Sequence, residues 1–218
     1  KRQLLDGSAY IGNLPHLQDI TTKLELLNSM GSSINFHEDG FIEINSSNIQ
    51  LPEARYELVK TMRASILVMG PLVARYGKAK ISQPGGCDIG TRPIDFHLSG
   101  LEKMGAEITS DTRYIYLKAK KLNPIDFSFP KVSVTGTENL MMAATLIDGT
   151  TTLKNCAKEP EVLELANYLN SCGAKISGAG ESEIEIKGVK KLEASRWDVL
   201  FDRIEAGTYL VAGAITKG

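Results

Sequence analysis

Three short stretches alternate apolar and polar or exposed side chains with a period of two: Phe41-Ile42-Glu43-Ile44, Tyr114-Ile115-Tyr116-Leu117 and Glu183-Ile184-Glu185-Ile186. That period predicts strands with one buried face. Ahead of each lies a helical pattern that closes on Leu27-Asn28-Ser29-Met30-Gly31, Leu101-Glu102-Lys103-Met104-Gly105 or Leu169-Asn170-Ser171-Cys172-Gly173. A leucine precedes each closing glycine by four positions, a β-branched residue (Ile20, Ile94, Val162) by eleven, and an isoleucine (Ile34, Ile108, Ile176) follows by three. The glycine has the position of a helix C-cap and the isoleucine opens a further strand. Behind each alternating strand comes a second helical pattern, at Leu58–Tyr76, Glu138–Ile147 and Ala206–Thr216. These are apolar nearly all round, as in Ser65-Ile66-Leu67-Val68-Met69-Gly70-Pro71-Leu72-Val73-Ala74, which predicts burial. Pro71 should kink or interrupt its helix.

The pattern is a repeat. Its openings, Asp6-Gly7-Ser8-Ala9-Tyr10-Ile11, Tyr76-Gly77-Lys78-Ala79-Lys80-Ile81 and Asp148-Gly149-Thr150-Thr151-Thr152-Leu153, are spaced 77 − 7 = 70 and 149 − 77 = 72 residues apart, and Gly218 follows 69 later. The fold class expected is α/β: three β-α-β-β-α units (about 6–76, 77–148 and 149–218) in one domain around a pseudo-threefold axis. Buried helices lie inside and sheets outside, the reverse of an ordinary barrel. The chain reads as an excised set of three whole units. From opening to closing glycine the counts are 31 − 7 = 24, 105 − 77 = 28 and 173 − 149 = 24. The four extra residues of the middle unit fall in the 84–91 loop, and insertions of this kind map to loops, often on a binding face.

That loop is where chemistry concentrates. It runs Lys80-Ile81-Ser82-Gln83-Pro84-Gly85-Gly86-Cys87-Asp88-Ile89-Gly90-Thr91-Arg92-Pro93-Ile94-Asp95, from a strand into a helix expected at Pro93–Met104. Glycines let its backbone approach a ligand. Cys87 should be more exposed than a core cysteine. Arg92, just ahead of a helix N-terminus, suits an anion; a plain surface loop with an incidental cysteine is the alternative. Arg63 opens a buried helix, and its counterparts by distance to the closing glycine are Thr135 and Ile204. A cation in one unit only suggests an anionic ligand, against a surface salt bridge. Lys131-Val132-Ser133-Val134-Thr135-Gly136-Thr137 offers a cation, hydroxyls and free N–H groups for a phosphate or uracil, and equally a helix cap. Asp202-Arg203-Ile204-Glu205 reads as a cap plus a surface pair, Glu159 and Glu161 as acids at a helix start, and Cys156 and Cys172 as structural.

Composition narrows the classes. Among 218 residues, 42% are hydrophobic and 23% charged, and the net charge is −1, so no basic field points to nucleic acid or a membrane surface. The longest nearly apolar run, Ile66–Ala74, is too short to span a bilayer. No signal peptide is visible at Lys1-Arg2-Gln3, and the chain does not begin with Met. Three cysteines without a Cys-x-x-Cys fit a reducing cytosol. His16, His37 and His97 lack metal-ligand spacing, so neither metal nor cofactor is expected.

With these residues in hand, the chain resembles the enolpyruvyl transferase family, specifically its members acting on UDP-N-acetylglucosamine at the opening of peptidoglycan synthesis. The resemblance rests on Leu58-Val59-Lys60-Thr61-Met62-Arg63-Ala64-Ser65, Gly70-Pro71-Leu72-Val73-Ala74-Arg75, Pro84-Gly85-Gly86-Cys87, Arg92-Pro93-Ile94-Asp95, Lys131-Val132-Ser133-Val134, Ala157-Lys158-Glu159-Pro160-Glu161 and Asp202-Arg203-Ile204-Glu205, in order. It covers nearly the whole chain but about half of such an enzyme, its first domain. It implies an inside-out α/β barrel and a cytoplasmic enzyme. It implies two small-molecule substrates, phosphoenolpyruvate and UDP-N-acetylglucosamine, and a second domain of the same polypeptide as partner. Cys87 would be the general acid toward C3 of phosphoenolpyruvate and the site alkylated by fosfomycin. Arg92, Pro93, Ile94, Asp95 and Phe96 would bind the nucleotide sugar, with Arg92 also facing phosphoenolpyruvate. Arg63, Lys131, Val132, Ser133 and Val134 would be further contacts. The family's Lys-Asn pair and its second-domain acid have no counterpart in these residues, so turnover by this chain alone is not expected. A shikimate-pathway enolpyruvyl transferase and a non-catalytic repeat scaffold are the alternatives; the Pro-Gly-Gly-Cys insertion and Arg-Pro-Ile-Asp argue against the first, and an unmatched Cys and Arg in one unit against the second.

Overall fold

The structure, a computed structural model, describes residues 7–54, 56–59, 62–83 and 94–217, and of Arg63 the backbone alone. The first unit runs β1 (Ser8–Gly12), α1 (Gln18–Met30), β2 (Ser33–Phe36), β3 (Ile42–Asn45), β4 (Glu53–Ala54), a one-turn α2 (Tyr56–Val59), a 3-10 segment (Arg63–Val68) and α3 (Met69–Tyr76). The second runs β5 (Lys78–Ser82), α4 (Asp95–Lys103), β6 (Glu107–Ser110), β7 (Tyr114–Lys118), β8 (Asp126–Ser128) and α5 (Val134–Ala144). The third runs β9 (Thr150–Lys154), α6 (Pro160–Ser171), β10 (Lys175–Ser177), β11 (Glu183–Lys187), β12 (Arg196–Asp198) and α7 (Arg203–Thr216). Each alternating stretch is a strand, and the closing glycines Gly31, Gly105 and Gly173 hold φ of 111°, 103° and 97°, a left-handed turn in which a side chain would be strained.

The strands form three four-stranded sheets, ordered β12-β1-β3-β2, β4-β5-β7-β6 and β8-β9-β11-β10. Within each, the opening, middle and third strands of one unit pair antiparallel, with Ile11 opposite Ile42, Ile81 opposite Ile115 and Leu153 opposite Ile184. The fourth strand is short, parallel, and belongs to the preceding unit: β4 lies on β5, β8 on β9 and β12 on β1. Two or three residues carry too little periodicity to be recognised in sequence, yet these strands interlock the units in a ring. The last link joins the two ends of the described chain. Val199 N–H donates to Gly12 O at 3.1 Å, Asn13 Nδ2 to Val199 O at 2.7 Å, and the Arg196 guanidinium lies 3.5 Å from the centre of the Phe41 ring.

The helices fill the middle. α5 buries Gly136, Thr137, Asn139, Leu140, Met141, Ala143 and Ala144, which span nearly all of its circumference, and packs against α3, α4 and α6. α3 buries Met69, Gly70, Leu72 and Val73. The single helix expected at 58–76 is broken into α2, the 3-10 segment and α3. Pro71 is the third residue of α3, in the first turn, where the missing N–H had no intrahelical partner to lose. α5 starts at Val134 rather than Glu138, because the Ser133 hydroxyl accepts from Gly136 N–H at 3.1 Å and caps it there.

The expectation that all three second helices are buried fails at α7. None of its residues is buried; Leu210 is 75% and Ile215 76% exposed. The cause is where the helix begins. Asp202 accepts from Ile204 N–H at 2.8 Å and Glu205 N–H at 3.3 Å, and the Arg203 guanidinium pairs with both oxygens of Glu161 at 3.1 and 2.9 Å. These contacts fix the first turn beside the N-terminus of α6, and the rest of the helix projects without packing on α3 and α5. Leu140→Ala should therefore cost about 2–5 kcal/mol in chemical denaturation. Leu210→Ala should stay within about 0.5 kcal/mol of the parent chain. A large loss at Leu210 would show that α7 packs inward.

Candidate functional site

Of the residues singled out for chemistry, Cys87, Arg92 and Pro93 lie outside the described residues, as does the side chain of Arg63. The described members sit at helix starts. Ile94 is the half-buried N-cap of α4, and its carbonyl accepts from His97 N–H at 3.0 Å and Leu98 N–H at 3.2 Å. Asp95, exposed, is the first-turn acid, which suits the positive end of the helix, and Phe96 packs partly buried against the core. At the start of α5, Lys131 and Val132 are exposed, Ser133 is the cap and Val134 the first helical residue. The cap role proposed for Ser133 is thus real, and it leaves Lys131 at the surface beside the free N–H groups of a helix start. Arg63 opens the 3-10 segment that leads into α3.

Hydrogen bonds bring these three helix starts together, through residues that periodicity gave no reason to single out. His97 follows Phe96 directly and is buried. Its Nε2 lies 3.3 Å from Thr135 Oγ1, one residue past Val134, and its Nδ1 lies 2.8 Å from Asn139 Nδ2. Asn139 reaches on to the third segment, accepting from Gly70 N–H at 2.7 Å. Thr135 occupies the place in its unit that Arg63 occupies in the first, so the repeat itself carried this signal. The remaining motifs are structural where seen. Cys156 and Cys172 are buried and free, and burial pushes the Cys156 thiol up to about 11, well away from reactivity.

A second feature was not foreseen. An apolar groove of about 400 Å³ runs between α1, the 3-10 segment with α3, α5 and α6, lined by Leu27, Met30, Leu67, Leu72, Met142 and Leu165. Three charged residues, Lys23, Arg75 and Glu138, share its wall. Lys23 Nζ donates to Ala64 O at 3.2 Å, and burial lowers its pKa to about 8 despite the attraction of Glu138. Burial, with Glu161 and Glu159 nearby, raises Glu138 to about 7. Such positions show as charges in an apolar helix pattern, here Lys23 among Ile20, Leu24 and Leu27 and Glu138 ahead of Leu140 and Met141.

The geometry of helix starts gathered over three sheets has counterparts among known proteins. The chain belongs to the family described as EPSP synthase (3-phosphoshikimate 1-carboxyvinyltransferase), whose profile matches residues 3–218. Within that class its similarity is to proteins named UDP-N-acetylglucosamine 1-carboxyvinyltransferase. The one from Hydrogenovibrio crunogenus is 56% identical over 98% of this chain and 51% of its own length, and that from Magnetococcus marinus 54% identical over 99% and 51%. The chain thus spans about half the length of the curated relatives it matches. Among solved structures, the enolpyruvyl transferase NikO from Streptomyces tendae superposes with a TM-score of 0.81 over 96% of this chain and half of its own, at 19% identity. An EPSP synthase from Acinetobacter baumannii superposes with a TM-score of 0.71 over 97% of this chain and 48% of its own, at 20% identity. Both share the fold. Among the described residues, no helix is long and apolar enough to cross a membrane.

Glu138 gives a pH test. A carboxyl whose folded pKa is raised binds its proton more tightly when folded, so its stabilising contribution is full below about 4.5 and is lost as pH rises through about 7. Glu138→Gln should match the parent chain in melting temperature near pH 4 and exceed it at pH 7.5, by the equivalent of about 1–2 kcal/mol. Parallel profiles for the two proteins would contradict the placement of Glu138 in the groove wall.

Proposed function

We propose that these 218 residues are the first domain of an enzyme that transfers the enolpyruvyl group of phosphoenolpyruvate to the 3-hydroxyl of UDP-N-acetylglucosamine and releases phosphate, the first committed step of peptidoglycan synthesis in the cytoplasm. The observation that carries the reading is the 56% and 54% identity to relatives of that name along the whole chain. In this reading the three sheets and their helices form one inside-out α/β barrel of three units, about 6–76, 77–148 and 149–218. The second domain is the part of the protein that the matched relatives have and these residues do not. The bare apolar length of α7 supports a partner of that kind, because Tyr209, Leu210, Val211 and Ile215 lose about 25 cal/mol per Å² by staying in water.

The reaction protonates the vinyl carbon, adds the sugar hydroxyl and expels phosphate, so it needs a tuned acid, cations and a dry site. Cys87 is the acid toward C3 and, as the one cysteine outside the scaffold positions, the target of fosfomycin. It works with its proton on, so its protonation matters more than its nucleophilicity. Arg92 faces both substrates. Pro93, Ile94, Asp95 and Phe96 and, opposite them, Lys131, Val132, Ser133 and Val134 take the nucleotide sugar, with Arg63 as a further cation. The same fold hosts shikimate-pathway transfer, and likeness to the solved structures at 19–20% identity does not separate the two substrates.

Phosphate release decides between them. The full-length protein should turn over phosphoenolpyruvate with UDP-N-acetylglucosamine and not with shikimate 3-phosphate. The isolated 218 residues should show neither, far below an ordinary rate of roughly 10 per second. The opposite substrate preference would overturn the assignment. In the full-length protein, Cys87→Ser should abolish most turnover near neutral pH, because a hydroxyl is too weak an acid. Cys87→Asp should keep much of it and resist fosfomycin, a carboxyl with a raised pKa being a competent acid without a thiolate. Cys156→Ser and Cys172→Ser should cost stability alone. Full activity of Cys87→Ser, or fosfomycin labelling found on Cys156 by peptide mapping, would remove the loop from the mechanism.

A further inference from the structure

The segments to which this function assigns the nucleotide sugar belong to three different helices, and one buried pair of side chains sets their spacing. His97 is 3% exposed and Asn139 fully buried. Asn139 Oδ1 accepts from Gly70 N–H at 2.7 Å, and a backbone N–H can only donate, so the carboxamide is fixed with its Nδ2 toward His97 and, at 3.4 Å, toward Ile66 O. An amide NH2 at 2.8 Å requires an acceptor, which makes Nδ1 the bare nitrogen of His97. Its proton is then on Nε2 and is donated to Thr135 Oγ1 at 3.3 Å. From donor to acceptor the bonds run one way, from Gly70 of α3 to Asn139 of α5, from Asn139 to His97 of α4, and from His97 to Thr135 at the start of α5. There is no slack at its far end, since a Cβ on Gly70 would lie 2.4 Å from Asn139 Oδ1 and 2.5 Å from Asn139 O. An apolar side chain would fill the same space without needing two matched partners. A fully satisfied polar network instead permits one relative placement of the three helices.

We infer that His97 is a positioning residue for the nucleotide sugar. Held by Asn139 and Thr135, it fixes the start of α4, with Ile94 to Phe96, against the start of α5, with Lys131 to Val134, so that both present their free N–H groups and side chains to one ligand. The inference rests on the function proposed above, and it assigns His97 no contact with substrate.

The test uses the full-length protein with His97→Ala, His97→Asn and Thr135→Val. Asparagine keeps an acceptor near the Nδ1 position, and valine removes only the partner of Nε2. Steady-state kinetics give KM for each substrate and kcat, calorimetry gives Kd for UDP-N-acetylglucosamine, and thermal melting reports folding. Two lost bonds of about 1 kcal/mol each, partly recovered by relaxation, should raise KM and Kd for UDP-N-acetylglucosamine about tenfold in His97→Ala. Thr135→Val should raise them about threefold. The KM for phosphoenolpyruvate and kcat should move less than about threefold, and His97→Asn should recover most of the loss. A residue that only packs would lower the melting temperature and leave the KM of the folded enzyme unchanged. An unchanged KM for UDP-N-acetylglucosamine in His97→Ala, or in Thr135→Val if the alanine variant does not fold, overturns the inference, as does an asparagine variant no better than alanine. Failure of the wild-type protein to bind UDP-N-acetylglucosamine overturns the function itself, which keeps the two failures apart.

Discussion

The placement of the central helices depends on the contact between α3 and α5 at Gly70 and Asn139. It brings one helix backbone within hydrogen-bond distance of a side chain on the other, where even a methyl group would clash. Everything nearer the surface inherits that placement. α5 carries the Ser133 cap and Lys131 at one end, α3 is continuous with the 3-10 segment that starts at Arg63, and His97 joins α4 to both. The apolar residues around the contact, Leu140, Met141, Met69 and Val73, supply the driving force. The polar pair supplies the register, which apolar packing alone specifies weakly.

The sheets solve a different problem. Each unit has three antiparallel strands and so two edges, and an open edge invites pairing with another chain. The edge beside the opening strand is covered by a two- or three-residue strand lent by the preceding unit, so the cover is also the link. Because the link from β12 to β1 joins the far ends of the described chain, the ring cannot be opened at one unit without exposing a sheet edge. The helix after each linking strand then has to go somewhere. After β4 and β8 it turns into the middle. After β12 the Asp202 cap and the Arg203–Glu161 pair lead α7 away, and a helix without a polar face is left in solvent.

Much of this was legible in the residues, for identifiable reasons. Period-two strands, glycine caps with positive φ and a spacing of about seventy are local signals, repeated three times, and they returned the antiparallel strands of each sheet, with α4 starting at Asp95 against an expected Pro93. Ser133 and Asp202 as caps were readable because each bonds within its own turn, whereas the partner of Arg203, Glu161, lies 42 residues away. The linking strands were not, since Glu53-Ala54 has no period to detect. The burial of α7 was misjudged because apolarity reports that a helix is covered by something and not by what. His97 was passed over because its partners, Thr135 and Asn139, are about forty residues away and become neighbours only when α4 crosses α5. The loop with Cys87 and Arg92 stays a matter of sequence and of the family to which the chain belongs.

The central claim is that one nucleotide sugar is held between the starts of α4 and α5, with the missing half of the protein closing over α7. A crystal structure of the full-length protein with UDP-N-acetylglucosamine tests it most directly. The account predicts the ligand against Asp95, Phe96 and the Lys131–Val134 segment, the His97–Asn139 bond intact, and Leu210 and Ile215 buried under the second domain. A nucleotide sugar bound away from both helix starts, or an α7 still bare in the complete protein, would contradict it.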